Sequence, residues 1–334
     1  MAKIVTLGEI MMRLSTPDHE RFSQANQFII TFGGAEANVA VCLSQLGHDA
    51  KFVTKLPLNP LGDRAIASLR SAGVDTDCIV RGGNRLGTYF LETGASLRPS
   101  SVIYDRAQSA IAEAEVSDFD FDAIFQDADL FHICGITPGI SEKGILLAIA
   151  SMKEARERGI TVSFDINFRS KLWTREEAAK VLPRLAPYAD ICFGNSWDAK
   201  NLLSLDVDET ADFATGAKAI AEAFGVSVVI ASNRVTHSAS NNDLSASLYL
   251  ASEDKVYTSN TYSINPIVDR VGGGDCLAAG VLCGFLDHMN PQEMIEFGVA
   301  ASALKHTLPG DYAMITRTEI QTLMANGGTG RVQR

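Results

Sequence analysis

The chain has no excess of basic charge. Its 334 residues carry 29 Lys and Arg against 40 Asp and Glu, a net charge of −11, which speaks against non-specific binding to nucleic acid. It has no CxxC pair. The six cysteines, at positions 42, 78, 134, 192, 276 and 283, are scattered through apolar stretches. That argues against a disulfide framework or a zinc site and predicts reduced, buried thiols in a cytosolic protein. The opening residues Met1 to Ile10 lack the long apolar core and cleavage pattern of a secretory leader. No uninterrupted apolar run is long enough to span a membrane. A cytoplasmic protein with no membrane partner is therefore expected. Also missing are a Gly-x-x-x-x-Gly-Lys-Ser/Thr loop and a Gly-x-Gly-x-x-Gly turn after the first strand, which disfavours P-loop and dinucleotide-binding folds. Without His-Glu-x-x-His or Gly-x-Ser-x-Gly, zinc-hydrolase and serine-hydrolase chemistry lose their usual signatures.

What is present reads as a large α/β protein. Apolar residues make up 46% and charged residues 21%, as in soluble globular chains. Lys3 to Leu7 and Asp49 to Val53 read as strands, and Gly62 to Ala72 as a helix closed by Gly73. From Phe121 the chain alternates strand and helix, which implies a mostly parallel sheet with helices on both faces. Two stretches have another texture. Arg13 to Ile30 mixes polar and apolar residues, and Gly87–Gly94 with Ser101–Arg106 reads as a hairpin. Together they suggest a small β-sheet lid, inserted at about residues 10–32 and 86–108 of a single domain over 1–325. Such a lid would exclude water. The polar tail Asn326 to Arg334 is expected to be mobile.

Three stretches carry candidate chemistry. In Asp269-Arg-Val-Gly-Gly-Gly-Asp275 the glycines permit close ligand approach. Asp275 falls in the first turn of an apolar, buried helix, where free N–H groups and the helix dipole attract anions. An anion site beside a carboxylate suggests phosphoryl transfer with Asp275 as base, although a capped turn is the plainer alternative. Asn38 follows Gly33-Gly34 on an apolar stripe with Ala35, Val41 and Cys42, and a polar amide there needs a partner, structural or ligand. Ile160 to Arg169 alternates, predicting a strand with Asp165, Asn167 and Arg169 on one face near its carboxyl end, where open α/β sheets bind ligands.

With Gly33-Gly34-Ala-Glu-Ala-Asn38 near the start and Gly272-Gly-Gly-Asp275 near the end, the chain resembles the ribokinase-like (PfkB) carbohydrate kinases over essentially its whole length. Several further stretches are similar to the 2-keto-3-deoxygluconate kinases of that family. They are Tyr104-Asp-Arg106, Asp165-Ile-Asn-Phe-Arg169 with Lys171-Leu-Trp173, Ala303 to Asp311, Ser238-Ala-Ser-Asn-Asn and Gly330-Arg-Val-Gln-Arg334. The resemblance implies transfer of the ATP γ-phosphoryl group to the 6-hydroxyl of that sugar acid, with Mg²⁺, in a homo-oligomer. It implies Asp275 as base and an anion hole around Gly272, Gly273 and Gly274. Gly34, Asn38, Tyr89, Tyr104, Arg106, Arg169 and Asp311 would meet the sugar acid. Asn167, Arg169, Asn195, Ser232 and Arg234 would meet ATP, and Asp198 the metal through water. A carboxylate substrate needs a fixed cation, for which Arg106 and Arg169 are the candidates, while Arg169 could equally meet phosphates.

The sequence departs from the family pattern at three places. Arg270 and Gly273 differ from its usual Asp-Thr-x-Gly-Ala-Gly-Asp. The metal-associated Asn-x-x-Glu ends in Asp198, one methylene shorter. The usually glycine-rich nucleotide loop reads Ser232 to Ser238. Two other functions stay open: a fructokinase- or ribokinase-like enzyme for a neutral sugar, and a non-catalytic sugar or nucleotide sensor.

Overall fold

The computed structural model describes residues 1–327, so most of the tail lies outside the described residues. Asn326, counted above with that tail, instead ends the last helix. In chain order, β1 (Lys3–Leu7), β2 (Met11–Ser15) and β3 (Ile29–Gly33) lead to α1 (Ala35–Gln45). Then come β4 (Asp49–Val53), β5 (Lys55–Leu56), α2 (Pro60–Ser71), β6 (Val80–Arg81), β7 (Thr88–Glu92) and β8 (Ser101–Asp105). The middle of the chain holds α3 (Phe121–Ile124), β9 (Leu130–Cys134), α4 (Ile136–Gly139), α5 (Glu142–Glu157), β10 (Thr161–Asp165) and α6 (Arg175–Leu185). It continues through β11 (Ile191–Phe193), α7 (Ser196–Asn201), α8 (Phe213–Phe224), β12 (Val228–Ser238), β13 (Asn241–Leu250), β14 (Lys255–Thr258) and β15 (Tyr262–Ile264). The last helices are α9 (Gly273–Leu286), α10 (Pro291–Lys305) and α11 (Arg317–Asn326).

The main sheet has nine strands in the order β14-β13-β12-β11-β10-β9-β1-β4, with β15 on β13. Pairing from β4 to β12 is parallel, and the β12–β13 and β13–β14 pairs are antiparallel. Helices cover both faces. One apolar core lies beneath α1, α9 and α10 and the other beneath α5, α6 and α8. β1 has its successor β4 on one side and β9 on the other. That reversal is where a parallel sheet opens a crevice beyond its carboxyl ends. A separate four-stranded sheet, β3-β2-β7-β8, forms the lid. Its inner side packs through Met11, Tyr89, Leu91 and Val102 against Val271 of the glycine-rich turn.

Two sequence expectations fail here. The strand read as Ile160 to Arg169 ends at Asp165, because Asn167 turns left-handed at φ 40°. Its backbone N–H and side-chain amide both bond back to Asp165, at 3.1 and 3.0 Å. This local turn outcompetes the ladder. The loop expected from Ser232 to Ser238 is strand, because β12 continues through it paired to β13.

α9 explains the buried helix. Gly272, at φ 83°, caps it, and eleven of its residues are buried, from Gly273 to Gly284. It lies against α1 and α10. The crossing with α10 is close: a Cβ on Gly280 would stand 2.7 Å from the Cα of Gly298. Overpacking such a contact typically costs about 1–3 kcal/mol. Gly280→Val should therefore lower the denaturation midpoint with an unchanged denaturant slope, and an unchanged midpoint would show that the crossing has slack.

Candidate active site

Between the carboxyl edge of the main sheet and the lid lies a cleft of about 750 Å³. It is lined by Gly34, Asn38, Tyr89, Tyr104, Arg106, Asp165, Asn167, Arg169, Lys171, Arg234, Arg270, Gly272, Gly274, Asp275 and Asp311. Most residues singled out in the sequence thus converge, although they come from distant parts of the chain.

Asp275 stands at its floor, in the first turn of α9 and only 8% exposed. Asn38 supplies the partner its own position demanded: its Nδ2 donates to Asp275 Oδ2 at 2.6 Å. Burial pushes the Asp275 carboxyl up to about 6, against the pull of the Asn38 hydrogen bond and the Arg169 charge. The N–H groups of Gly272, Gly274 and Asp275 have no acceptor among the described residues. They form the anion-binding end of the helix. Gly273 departs from its expected place: its N–H donates to Arg270 O at 3.2 Å, and its carbonyl accepts from Ser302 Oγ at 2.7 Å. It lies outside the cleft lining.

Beside Asp275, burial and the neighbouring charges of Asp275 and Asp198 push Asp165 up to about 7, while Arg169 opposes this. Asp198 is raised to about 6, chiefly by burial. Its Oδ2 accepts from Asn195 N at 2.9 Å, and Asn195 Oδ1 accepts from Asp198 N at 3.0 Å. The pair is thus a capping box on α7. Neither residue lines the cleft, and neither does Ser232, which is exposed on β12.

The cations divide. Arg106 is taken: its Nε donates to Glu9 Oε2 at 2.7 Å, and Ser109 Oγ donates to Glu9 Oε1 at 2.6 Å. Its guanidinium also lies 5.5 Å from the Tyr104 ring centre. Arg169 and Arg234, by contrast, have no carboxylate partner among the described residues. Lys171 reaches from the main body to the lid, donating to Val102 O at 2.9 Å. Asp311 and Tyr89 already engage each other. Tyr89 Oη donates to the Asp311 carboxylate at 2.7 Å, and Arg13 Nη1 donates to it at 2.8 Å.

Sequence reasoning missed Arg13, Asp269, Glu9, Glu36 and Lys305. Arg13 shares the buried face of β2 with Met11 and Ser15 and ion-pairs with Asp269 as well as Asp311. Glu36, in the first turn of the apolar α1, accepts from Cys134 N at 3.1 Å and Thr137 Oγ1 at 2.9 Å. Burial pushes it to about 7. A charged residue inside an apolar stretch was the available signal in each of these helical cases.

The description of the pfkB family carbohydrate kinases matches residues 1–318. A crystal structure of 2-dehydro-3-deoxygluconokinase from Thermotoga maritima is 45% identical, with a TM-score of 0.93, covering 98% of this chain and all of that one. The 2-dehydro-3-deoxygalactonokinase of Haloferax volcanii is 33% identical over 98% of each chain. The 2-dehydro-3-deoxygluconokinase of Bacillus subtilis is 26% identical, over 96% of this chain and 95% of its own. A cleft with a carboxylate at a helix N-terminus beneath a small β lid, together with a family match over nearly the whole length, leads to one assignment: the chain belongs to the pfkB family of carbohydrate kinases.

Proposed function

We propose that the protein phosphorylates 2-keto-3-deoxy-D-gluconate at its 6-hydroxyl, using ATP and releasing ADP. The observation that carries this reading is Asp275, held by Asn38, beside the free amides of α9 and in one cleft with the unpaired Arg169. In the reaction, Asp275 takes the hydroxyl proton while the hydroxyl oxygen attacks the γ-phosphorus. The bond from that phosphorus to the β–γ bridging oxygen breaks, and ADP leaves with the electron pair. The amides of Gly272 and Gly274 stabilise charge on the migrating group, the term that usually dominates such catalysis. Arg234 and Asn167 border the cleft where the nucleotide phosphates would lie. Arg169 is the fixed cation for the substrate carboxylate, since Glu9 has neutralised Arg106. Tyr104 closes over the sugar from the lid.

The donor set near the base suits Mg²⁺. Asp165 and Asp198 offer hard carboxylate oxygens in half-buried settings, and a cation would relieve the repulsion that Asp198 adds at Asp165. Two carboxylates would leave most of the ion's positions to waters and to the nucleotide, as Mg²⁺ usually requires. When bound, Mg²⁺ supplies positive charge beside the phosphates. The pairing of Arg106 with Glu9 also favours a second reading, a kinase for a neutral sugar, because it removes one of the two candidate carboxylate-binding cations.

Replacing Asp275 by Asn should lower kcat by roughly two to four decades, the usual scale for a lost general base, with the thermal midpoint little changed. Near wild-type turnover would sink the assignment. The base must be ionised to accept a proton, so kcat/KM should hold at high pH and fall as pH drops through about 6, where Asp275 takes up its proton. A profile flat down to pH 5 would contradict this. Arg169→Ala should raise KM for the sugar acid by roughly ten- to a hundredfold, as loss of a charge-assisted hydrogen bond implies, and leave neutral sugars much less affected. Equal weakening of both would favour the neutral-sugar reading.

A further inference from the structure

Lys305 closes α10 at 0% exposure and is the only charged residue among the largest fully buried side chains of the described residues. Burying an ammonium is costly unless its charge is matched. The carboxylates of Asp269 and Asp311 are nearby but are both engaged by Arg13. Lys305 Nζ bonds instead to two backbone carbonyls, Asp269 O at 3.2 Å and Leu308 O at 3.3 Å. Those carbonyls belong to the two loops that build the transfer site: the turn leading into Gly272 and the segment leading to Asp311. The stem runs close by the turn, since a Cβ on Gly272 would stand 3.4 Å from Lys305 Cε. A lysine serving only the end of its own helix would bond the last carbonyls of α10, and neither acceptor lies in that helix.

We propose that Lys305 is a positioning residue of the transfer reaction: its buried ammonium pins the Asp269 carbonyl against that of Leu308, sets the Gly272–Asp275 turn, and places a fixed positive charge behind the amides that receive the phosphoryl group. The inference rests on reading that turn as the phosphoryl site. The charges facing Lys305 are Asp269, Asp311 and Arg13, with the Cys276 thiol on α9. Asp275 is faced by Asn38 and Cys42 from α1, by Asp165 at the end of β10 and Arg169 beyond it, and by Asp311. Lys305 is one of the two cations that favour its ionised form, Arg169 being the other.

The test is Lys305→Gln, compared with the wild type on whichever sugar hydroxyl the wild type phosphorylates best. The amide retains N–H donors for the carbonyls but removes the charge. The expected result is a fall in kcat of about ten- to a hundredfold, a smaller change in KM for the sugar, and an acid limb of kcat/KM moved to higher pH. The shift follows because loss of a cation favours the protonated base. Wild-type kcat with an unmoved limb would overturn the proposal, as would a loss of activity that only tracks the folded fraction. As a second measurement, Lys305→Ala is assayed with n-propylammonium or n-propanol. Restoration by the cation alone supports the charge role, whereas equal restoration by both, by neither, or failure of both variants to fold marks a lysine needed only for packing. Inactivity of the wild type toward every sugar acid would defeat the substrate reading and leave this variant-to-wild-type comparison standing.

Discussion

The hydrogen bond from Asn38 to Asp275, 2.6 Å long, joins the first turns of two buried helices whose chain positions are 237 residues apart. Much of the site depends on it. Hydrogen bonds to charged groups are worth about 1.5–3 kcal/mol, or roughly one to two pKa units. That is enough to offset a substantial part of the burial that pushes Asp275 upward, and it leaves the carboxyl near 6, a basicity suited to a general base working near neutral pH. The bond also demands that α1 and α9 approach closely at their N-termini. Glycine also lets the entry to α1 sit against the turn between β1 and β2, since a Cβ on Gly34 would fall 1.9 Å from the carbonyl oxygen of Glu9.

A second set of contacts ties this pair to the lid. Asp311 lies between the two glycine turns: a Cβ on Gly33 would stand 2.1 Å from its carboxylate, and one on Gly272 would stand 2.3 Å from its carbonyl oxygen. Arg13 from β2 and Tyr89 from β7 both bond its carboxylate. Arg13 also bonds Asp269, at the entry to the turn of α9. The lid is therefore joined at its base to the residues that hold the glycine-rich turn of α9, through charges that are hydrogen-bonded and shielded from water. A buried pair of this kind is a poor source of stability but a strong constraint on geometry, because breaking one partner strands the other.

The α/β architecture was legible because its signals are local: apolar runs, alternation, and glycines closing helices. The lid was legible because its texture differs from the rest of the chain. Asp275, Asn38 and Arg169 were legible as polar groups at positions where chain patterns place ligands. The cleft also gathers Asp165 and Asn167, although the strand expected to carry them stops at Asp165 and a local turn places Asn167. The partners were not legible. That Glu9 holds Arg106, that Arg13 and Tyr89 hold Asp311, and that Lys305 spans two loops are facts of long-range packing, with sequence separations of 97, 298, 222 and 36 residues. Asn195 and Asp198 show the converse, a motif whose short-range role is a helix cap.

In the proposed function a sugar acid binds the cleft with its carboxylate on Arg169 and its hydroxyl on Asp275. The most direct measurement is ATP-dependent ADP release by the wild-type protein across a panel containing 2-keto-3-deoxygluconate, its galactonate epimer, fructose and ribose. The expected result is a kcat/KM for the sugar acids roughly ten- to a hundredfold above that for the neutral sugars, the scale of a charge-assisted hydrogen bond. Equal or greater efficiency with fructose or ribose would contradict it.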